Sequence, residues 1–316
     1  MWQNFVPSIE IKALLEERDK ALVLASHCTR KCEGEAKKKG DRIKIFGVGS
    51  PTIYQLQKDG TYTANQVGGG SIAGSGKKII QRGIPTVEDI EDTEVEMQIN
   101  QMAVWNYGIG DIDKALMGGK NGKMAMLRKK QAKKLANIQD QYVARVMASF
   151  NECAYLDGEG IRSDGKYYLK KGDSVATAGS ESTSAMRLIN LIVQKLKEQD
   201  IPDDEELVLE CPHSFWTQLK EEYVHLDTDN SAMLKGRKCG VYNGIKVFGT
   251  NNAVVDGKEH IFVRTLDSTA FVDPHTHTEA YRLQDGFTDA VKGFDLYDAA
   301  ITDPKALLHA EIAYVK

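Results

Sequence analysis

Nowhere in the 316 residues does an apolar run approach the roughly 20 consecutive residues that a membrane-crossing helix needs. The N-terminus, Met-Trp-Gln-Asn-Phe-Val, lacks the basic region and apolar core of a secretory signal. It runs almost at once into structural-looking sequence, so a long propeptide is not expected. Cys28, Cys32, Cys153, Cys211 and Cys239 are odd in number and widely scattered. That spacing excludes a disulfide framework and fits reduced thiols of a chain made in a cytoplasm. Internal repeats are absent, and the only biased segment is the glycine-rich stretch around Gly68. Strong net charge is lacking too: the formal value is −4, so nothing global marks a nucleic-acid binder. What is present is ordinary, with 41% hydrophobic and 27% charged residues. This is enough for a sizeable core in one large domain or two average ones.

Ile9, Ile11, Leu14 and Leu15, then Leu22 and Leu24, give the first 40 residues a helical but apolar-poor character, ending in Lys37-Lys38-Lys39-Gly40. So thin a helix has little to bury alone, and reads as an arm lying on something else. Ile43 and Ile45 alternate with Arg42 and Lys44 in a strand. A polar excursion follows, with Gly68-Gly69-Gly70, before Val95, Met97 and Ile99 alternate with Glu94, Glu96, Gln98 and Asn100. Two strands flanking such an excursion predict an extended hairpin, which is marginal unless it rests on another surface. Residues 123–150 predict a long helix about 40 Å in length. Met124, Leu127, Leu135, Ile138, Tyr142, Val146 and Phe150 form its apolar stripe, with Lys129, Lys130, Lys133 and Asp140 opposite. A polar loop leads to a second helix with Ser182-Thr183-Ser184 at its start and Leu188, Ile192 and Leu196 on one face, ending before Ile201-Pro202. Leu207-Val208-Leu209 predicts a buried strand, and Pro212 opens a helix carrying Phe215, Trp216 and Leu219. Asn243-Gly244 between Gly240-Val241-Tyr242 and Ile245-Lys246-Val247-Phe248 predicts a tight hairpin. Ile261-Phe262-Val263 is a further strand, and residues 287–315 read as two more joined through Thr302-Asp303-Pro304.

Four groupings invite a chemical reading. Gly70 to Lys78 resembles a phosphate loop, but Ser71 holds the first glycine position and Lys78 stands where Ser or Thr would bind magnesium. Asp273, His275, His277 and Glu279 alternate and could offer four metal ligands on one strand face. Pro274 and the polar surroundings fit a solvated loop as well, and such sites ordinarily recruit distant residues, so no metal or cofactor is expected. His27, Cys28 and Cys32 have no second Cys/His pair near them to complete a zinc site. His213 and Ser214 sit at a helix start, where capping accounts for them, and no Gly-x-Ser-x-Gly elbow exists. No catalytic residue is therefore expected. Lys129, Lys130 and Lys133 alone point toward nucleic acid; without interleaved aromatics they predict no base stacking, and a solvated helix face explains them.

Several stretches resemble motifs of one family. Gly40-Asp41-Arg42-Ile43-Lys44-Ile45 is similar to a "GD-x-V-x-I" strand, and Tyr107-Gly108-Ile109-Gly110-Asp111-Ile112-Asp113 to a "V-D-D-x-D" segment, with Gly110 where an acidic residue is usual. Ile201-Pro202 with Leu207-Val208-Leu209-Glu210-Cys211-Pro212 is similar to "P-x-x-x-R-x-x-V-x-x-P" without its arginine. Gly240 to Thr250 resembles "G-x-x-x-G-F-x-V-x-x-S", and Phe294 to Ile301 resembles a closing "G-x-x-x-Y-G-x-K-V" strand, with Asp298 in place of glycine. With the order of elements, these resemble the Hong Kong 97-type fold of tailed-phage major capsid proteins over nearly the whole chain.

The resemblance implies an α+β subunit with an N-terminal arm over residues 1–40 and an extended hairpin (E-loop) over 41–104. A peripheral domain would span 105–181 and 290–316 with its spine helix at 123–150, and an α/β axial domain would span 182–289. It implies self-assembly into hexamers and pentamers of an icosahedral virion shell around double-stranded DNA, made in a host bacterium, with no membrane and no enzymatic role. Scaffolding and portal proteins would be its partners. A compartment shell of the encapsulin type shares the fold and is the nearest alternative; a metal-dependent enzyme using Asp273, His275 and His277 is the alternative from another class.

Overall fold

A computed structural model describes residues 7–31, 40–48, 53–56, 61–65, 78–79, 92–110, 122–150, 166–170, 182–199, 201, 205–224, 239–283 and 288–314. The two alternating segments pair as expected. β1 (Arg42–Val48) runs antiparallel to β5 (Asp92–Gln98), with Ile43 opposite Met97 and Ile45 opposite Val95. Period-two alternation places these apolar residues on one face of the ribbon. Ile43, Met97 and Ile99 bury that face against Val272 and Leu296. Between the two strands, β2 (Ile53–Leu56), β3 (Thr61–Asn65) and β4 (Lys78–Ile79) form a small antiparallel sheet that shares no strand with any other. Lys78 opens β4; the remainder of the Gly70–Lys78 stretch lies outside the described residues.

The chain continues from the hairpin into β6 (Gln101–Gly110), a strand that its Gly and Asn content concealed in the sequence. It edges a long antiparallel sheet with β14 (Thr288–Ile301) in the centre and β13 (Thr269–Arg282) beyond. Against this sheet lies α2 (Gly122–Ala148), the long helix. Its buried row is Ala132, Leu135, Ala136, Gln139, Asp140, Val143, Ala144 and Met147, whereas Ile138 and Phe150 are exposed. The apolar stripe read from sequence is thus rotated by about one residue, or roughly 100°. Small alanines allow close packing, and Gln139 and Asp140 turn inward because polar partners wait there.

The second sheet runs in the order β7-β15-β12-β8-β10-β9, with β11 (Val254–Val255) appended to β12. Its members are β7 (Tyr167–Leu169), β8 (Leu207–Cys211), β9 (Cys239–Tyr242), β10 (Ile245–Gly249), β12 (Lys258–Thr265) and β15 (Leu307–Tyr314). β8 and β10 are parallel, as are β7 and β15; the other pairings are antiparallel. α3 (Ala185–Lys197) and α4 (His213–Val224) share this sheet's core. Ser184 caps α3 by accepting from the Arg187 N–H at 3.2 Å. Leu188, Ile192 and Leu196 are fully buried on its inner face, each contributing about 1.5–3 kcal/mol. Asn243 (φ 49°) and Gly244 (φ 84°) make the left-handed two-residue turn expected between β9 and β10.

Two boundaries drawn from sequence move. The β13–β14 pairing continues across residue 289, so residues 269–282, assigned to the axial part, belong with the long helix. β7 and β15, assigned to the peripheral part, hydrogen-bond into the second sheet instead. Strand pairing is non-local, and neither partner's alternation says which sheet will accept it.

The N-terminal segment is also revised. α1 (Pro7–Asp19) lies along α2, and Leu14, Leu22, Leu24, Ala25 and Cys28 are buried. Thr29 forms a β-bridge with Ala270. Up to residue 31 the surface under this arm is the chain's own core.

Candidate functional site

The Asp273–Glu279 cluster illustrates how local backbone decides chemistry. It lies in β13, not in a loop, and a register shift between Val272 and His275 inserts an extra residue opposite β14. Such a bulge reverses the alternation. Asp273 consequently turns inward to pair with Arg18, while His277 and Glu279 are exposed on the opposite face. Glu279 pairs with Lys292 at 3.2 Å and the His277 ring packs against Phe294. Among the described residues no group of three or more His, Cys, Asp and Glu side chains could hold a metal ion. Asp273 and His277 thus lie on opposite faces of β13, and the side chain of His275 falls outside the described residues.

The other candidates also resolve into structure. His27 Nδ1 lies 2.7 Å from Glu210, Cys28 is buried, and Cys32 falls outside the described residues. Ser214, expected to cap α4, instead donates to Glu259 at 2.6 Å. Lys129, Lys130 and Lys133 are exposed on α2 as expected, joined by Lys134. Asp140, placed beside them from sequence, is buried.

Four buried polar groups weld the parts together. Arg264 on β12 and Glu210 on β8 are both 0% exposed and form a two-pronged ion pair at 3.1 and 3.0 Å. Arg264 also donates to the carbonyls of Leu24 and His27, pinning the N-terminal segment to the second sheet. Burial by itself would raise the Glu210 pKa, but Arg264 and then His27 hold it below the ordinary value. On the opposite flank, Arg18 of α1 reaches Asp273 and Asp295, and Asp295 accepts from Gln139 of α2 at 2.7 Å. Burial, reinforced by the neighbouring Asp273, pushes the Asp295 carboxyl above its ordinary range.

Asp140 accepts the backbone N–H groups of Val23 and Ala25, each at 3.0 Å, and the Asn252 amide at 3.2 Å. Burial raises its pKa to about 6 despite those donors. Asp298, which stands where the motif has glycine, accepts from Tyr142 of α2 at 2.7 Å and from the Asn100 N–H at 2.9 Å. It therefore joins the long helix, the hairpin root and the closing strand. Sequence reasoning missed these groups as a set. The available signals were single charges in apolar runs, Glu210 after Leu207-Val208-Leu209 and Arg264 after Ile261-Phe262-Val263.

These contacts leave part of the long sheet exposed beside the hairpin. On β6, Met102 and Val104 are 45% and 66% exposed, next to the hairpin root.

No protein-family model and no curated protein matches the chain. Solved structures do. A chain from Mycobacterium phage Che8 is similar with a TM-score of 0.61 at 20% identity, over 91% of this chain and 90% of that one. The capsid structure of cyanophage P-SCSP1u gives 0.57 at 13% identity, over 94% and 89%. A virus-like particle from Pyrococcus furiosus gives 0.50 at 11% identity, over 96% and 99%. The chain has the α+β, Hong Kong 97-like fold of these capsid structures.

Proposed function

We propose that this chain is the major capsid protein of a tailed bacteriophage, self-assembling into hexamers and pentamers of an icosahedral shell around double-stranded DNA. The observation that carries this reading is the likeness to phage structures over more than nine-tenths of the chain. The physics of the chain agrees with it. A small sheet that, among the described residues, hydrogen-bonds to no other sheet is marginal alone, and gains stability by lying over a neighbour. Met102 and Val104 beside its root present apolar area of the kind that protein contacts cover.

In that assembly the hairpin of residues 41–104 crosses onto an adjacent subunit, through heterologous contacts that close into rings. The part around α2 forms the shell's peripheral region, and the second sheet with α3 and α4 its axial region. Scaffolding and portal proteins complete the particle, and the subunit resides in the virion. The likeness to the Pyrococcus furiosus particle favours a second reading, a compartment shell enclosing protein instead of a genome.

Negative-stain electron microscopy of the purified full chain tests the proposal. Closed icosahedral particles or hexameric sheets are the expected result, and a persistent monomer at high concentration overturns it. Co-expression with the neighbouring genes separates the two shells: packaged DNA supports the viral one, and encapsulated protein without DNA the compartment.

A further inference from the structure

The long helix carries an excess of positive charge. Across Gly122–Ala148 the sequence holds Lys123, Arg128, Lys129, Lys130, Lys133, Lys134 and Arg145 against one carboxylate, Asp140. That carboxylate is buried and committed to Val23, Ala25 and Asn252. Lys129, Lys130, Lys133 and Lys134 are exposed, turned away from Ala132, Leu135, Ala136 and Gln139, and have no ion-pair partner among the described residues. Their spacing sets like charges four residues apart twice over, Lys129 with Lys133 and Lys130 with Lys134, an arrangement that destabilises a helix. Within the subunit this face is therefore unfavourable, and an external polyanion removes the penalty.

We infer that Lys129, Lys130, Lys133 and Lys134 form a binding face for the phosphodiester backbone of duplex DNA, without base selectivity. The partner's chemistry follows from the residues. Lysine is a compact point charge that neutralises single phosphates, and no aromatic or guanidinium among the four offers stacking or a bidentate fork to a base. The inference rests on the shell reading for its biological setting, but the face is defined by its own charges.

Fluorescence anisotropy of the unassembled full chain with a random-sequence 20-base-pair duplex, across a salt series, tests it. Four phosphates neutralised give a slope of log affinity against log salt near −3.6, so a fourfold rise in salt weakens binding about 150-fold. The K129Q/K130Q/K133Q/K134Q variant is expected to bring that slope close to zero while melting at or slightly above the wild-type temperature, since the like-charge repulsion is gone. The corresponding Lys→Arg variant, which keeps charge, retains the slope. Equal slopes for wild type and the Gln variant overturn the inference. So does a Gln variant that binds DNA normally but loses salt-sensitive self-association, which would assign the face to a second copy. Loss of DNA binding by the variant, with no particles formed by either protein in the microscope, supports the lysine face and removes the shell reading instead.

Discussion

Arg264 and Glu210 are completely buried, so neither charge has water to fall back on once the other is removed. Glu210→Gln is expected to cost about 3–5 kcal/mol in urea unfolding, because the Arg264 guanidinium stays behind unpaired. Replacing both by apolar residues of similar volume should cost clearly less. A second residue-scale test concerns pH. Burial, then the nearby His260 ring 5.5 Å away, depresses His309 from 6.5 to about 4. Between those values the unfolded chain binds more protons than the folded one, so stability rises with pH from about 4 to 6.5. The full effect is on the order of 3 kcal/mol. Asp295 acts oppositely: burial and the neighbouring Asp273 raise its pKa, so its contribution to stability falls as pH climbs above the unfolded value. Relative to the parent, His309→Gln is expected to lose a rising contribution between about pH 4 and 6.5 and Asp295→Asn to lose a falling one, each read as a change in the slope of melting temperature against pH. Unchanged profiles would sink both assignments.

Among the elements, β14 is the most constrained. Gly293 sits where an added Cβ would press into the His277 carbonyl oxygen and lie 2.6 Å from the Trp105 ring. Gly293→Ala is therefore expected to destabilise by about 1–3 kcal/mol, read as a lowered melting temperature. Elements of this kind were legible in the sequence to the extent that their apolar residues were large and periodic. The β1–β5 ribbon, the Asn243-Gly244 hairpin, α3 and α4 follow from alternation, turn chemistry and a Ser cap. The buried face of α2 did not, because Ala132, Ala136, Gln139 and Asp140 do not look like core until their partners are in place. β13 was hidden by Pro274 and by polar residues on both faces, and its bulge dispersed the one cluster that resembled a metal site. Of the polar groups joining the parts, only Asp298 announced itself, as a departure from a motif. Arg18 and Asp140 gain their meaning from residues more than a hundred positions away.

For the whole molecule, the hairpin and the body are separable. Val48 and Asp92 are register partners, so residues 49–91 can be replaced by a two-residue Asn-Gly turn without disturbing β1 or β5. That protein is expected to melt within a few degrees of the parent and to form no closed particles by electron microscopy. Assembly that survives the excision would argue against the hairpin as the inter-subunit clasp.

The N-terminal segment has a consequence for how the chain is made. Its anchors come late: Asp140 lies 117 positions after Val23, and Asp295 lies 277 positions after Arg18. At roughly 5–20 residues per second, a ribosome delivers Asp295 roughly 15–55 s after Arg18. Until α2 is delivered, Leu22 and Leu24 lack the residues they pack with, Ala136, Val143 and Met147, and the nascent chain carries them in the open. This segment is thus secured well after its own synthesis, and that interval is when a chaperone has apolar residues of it to hold.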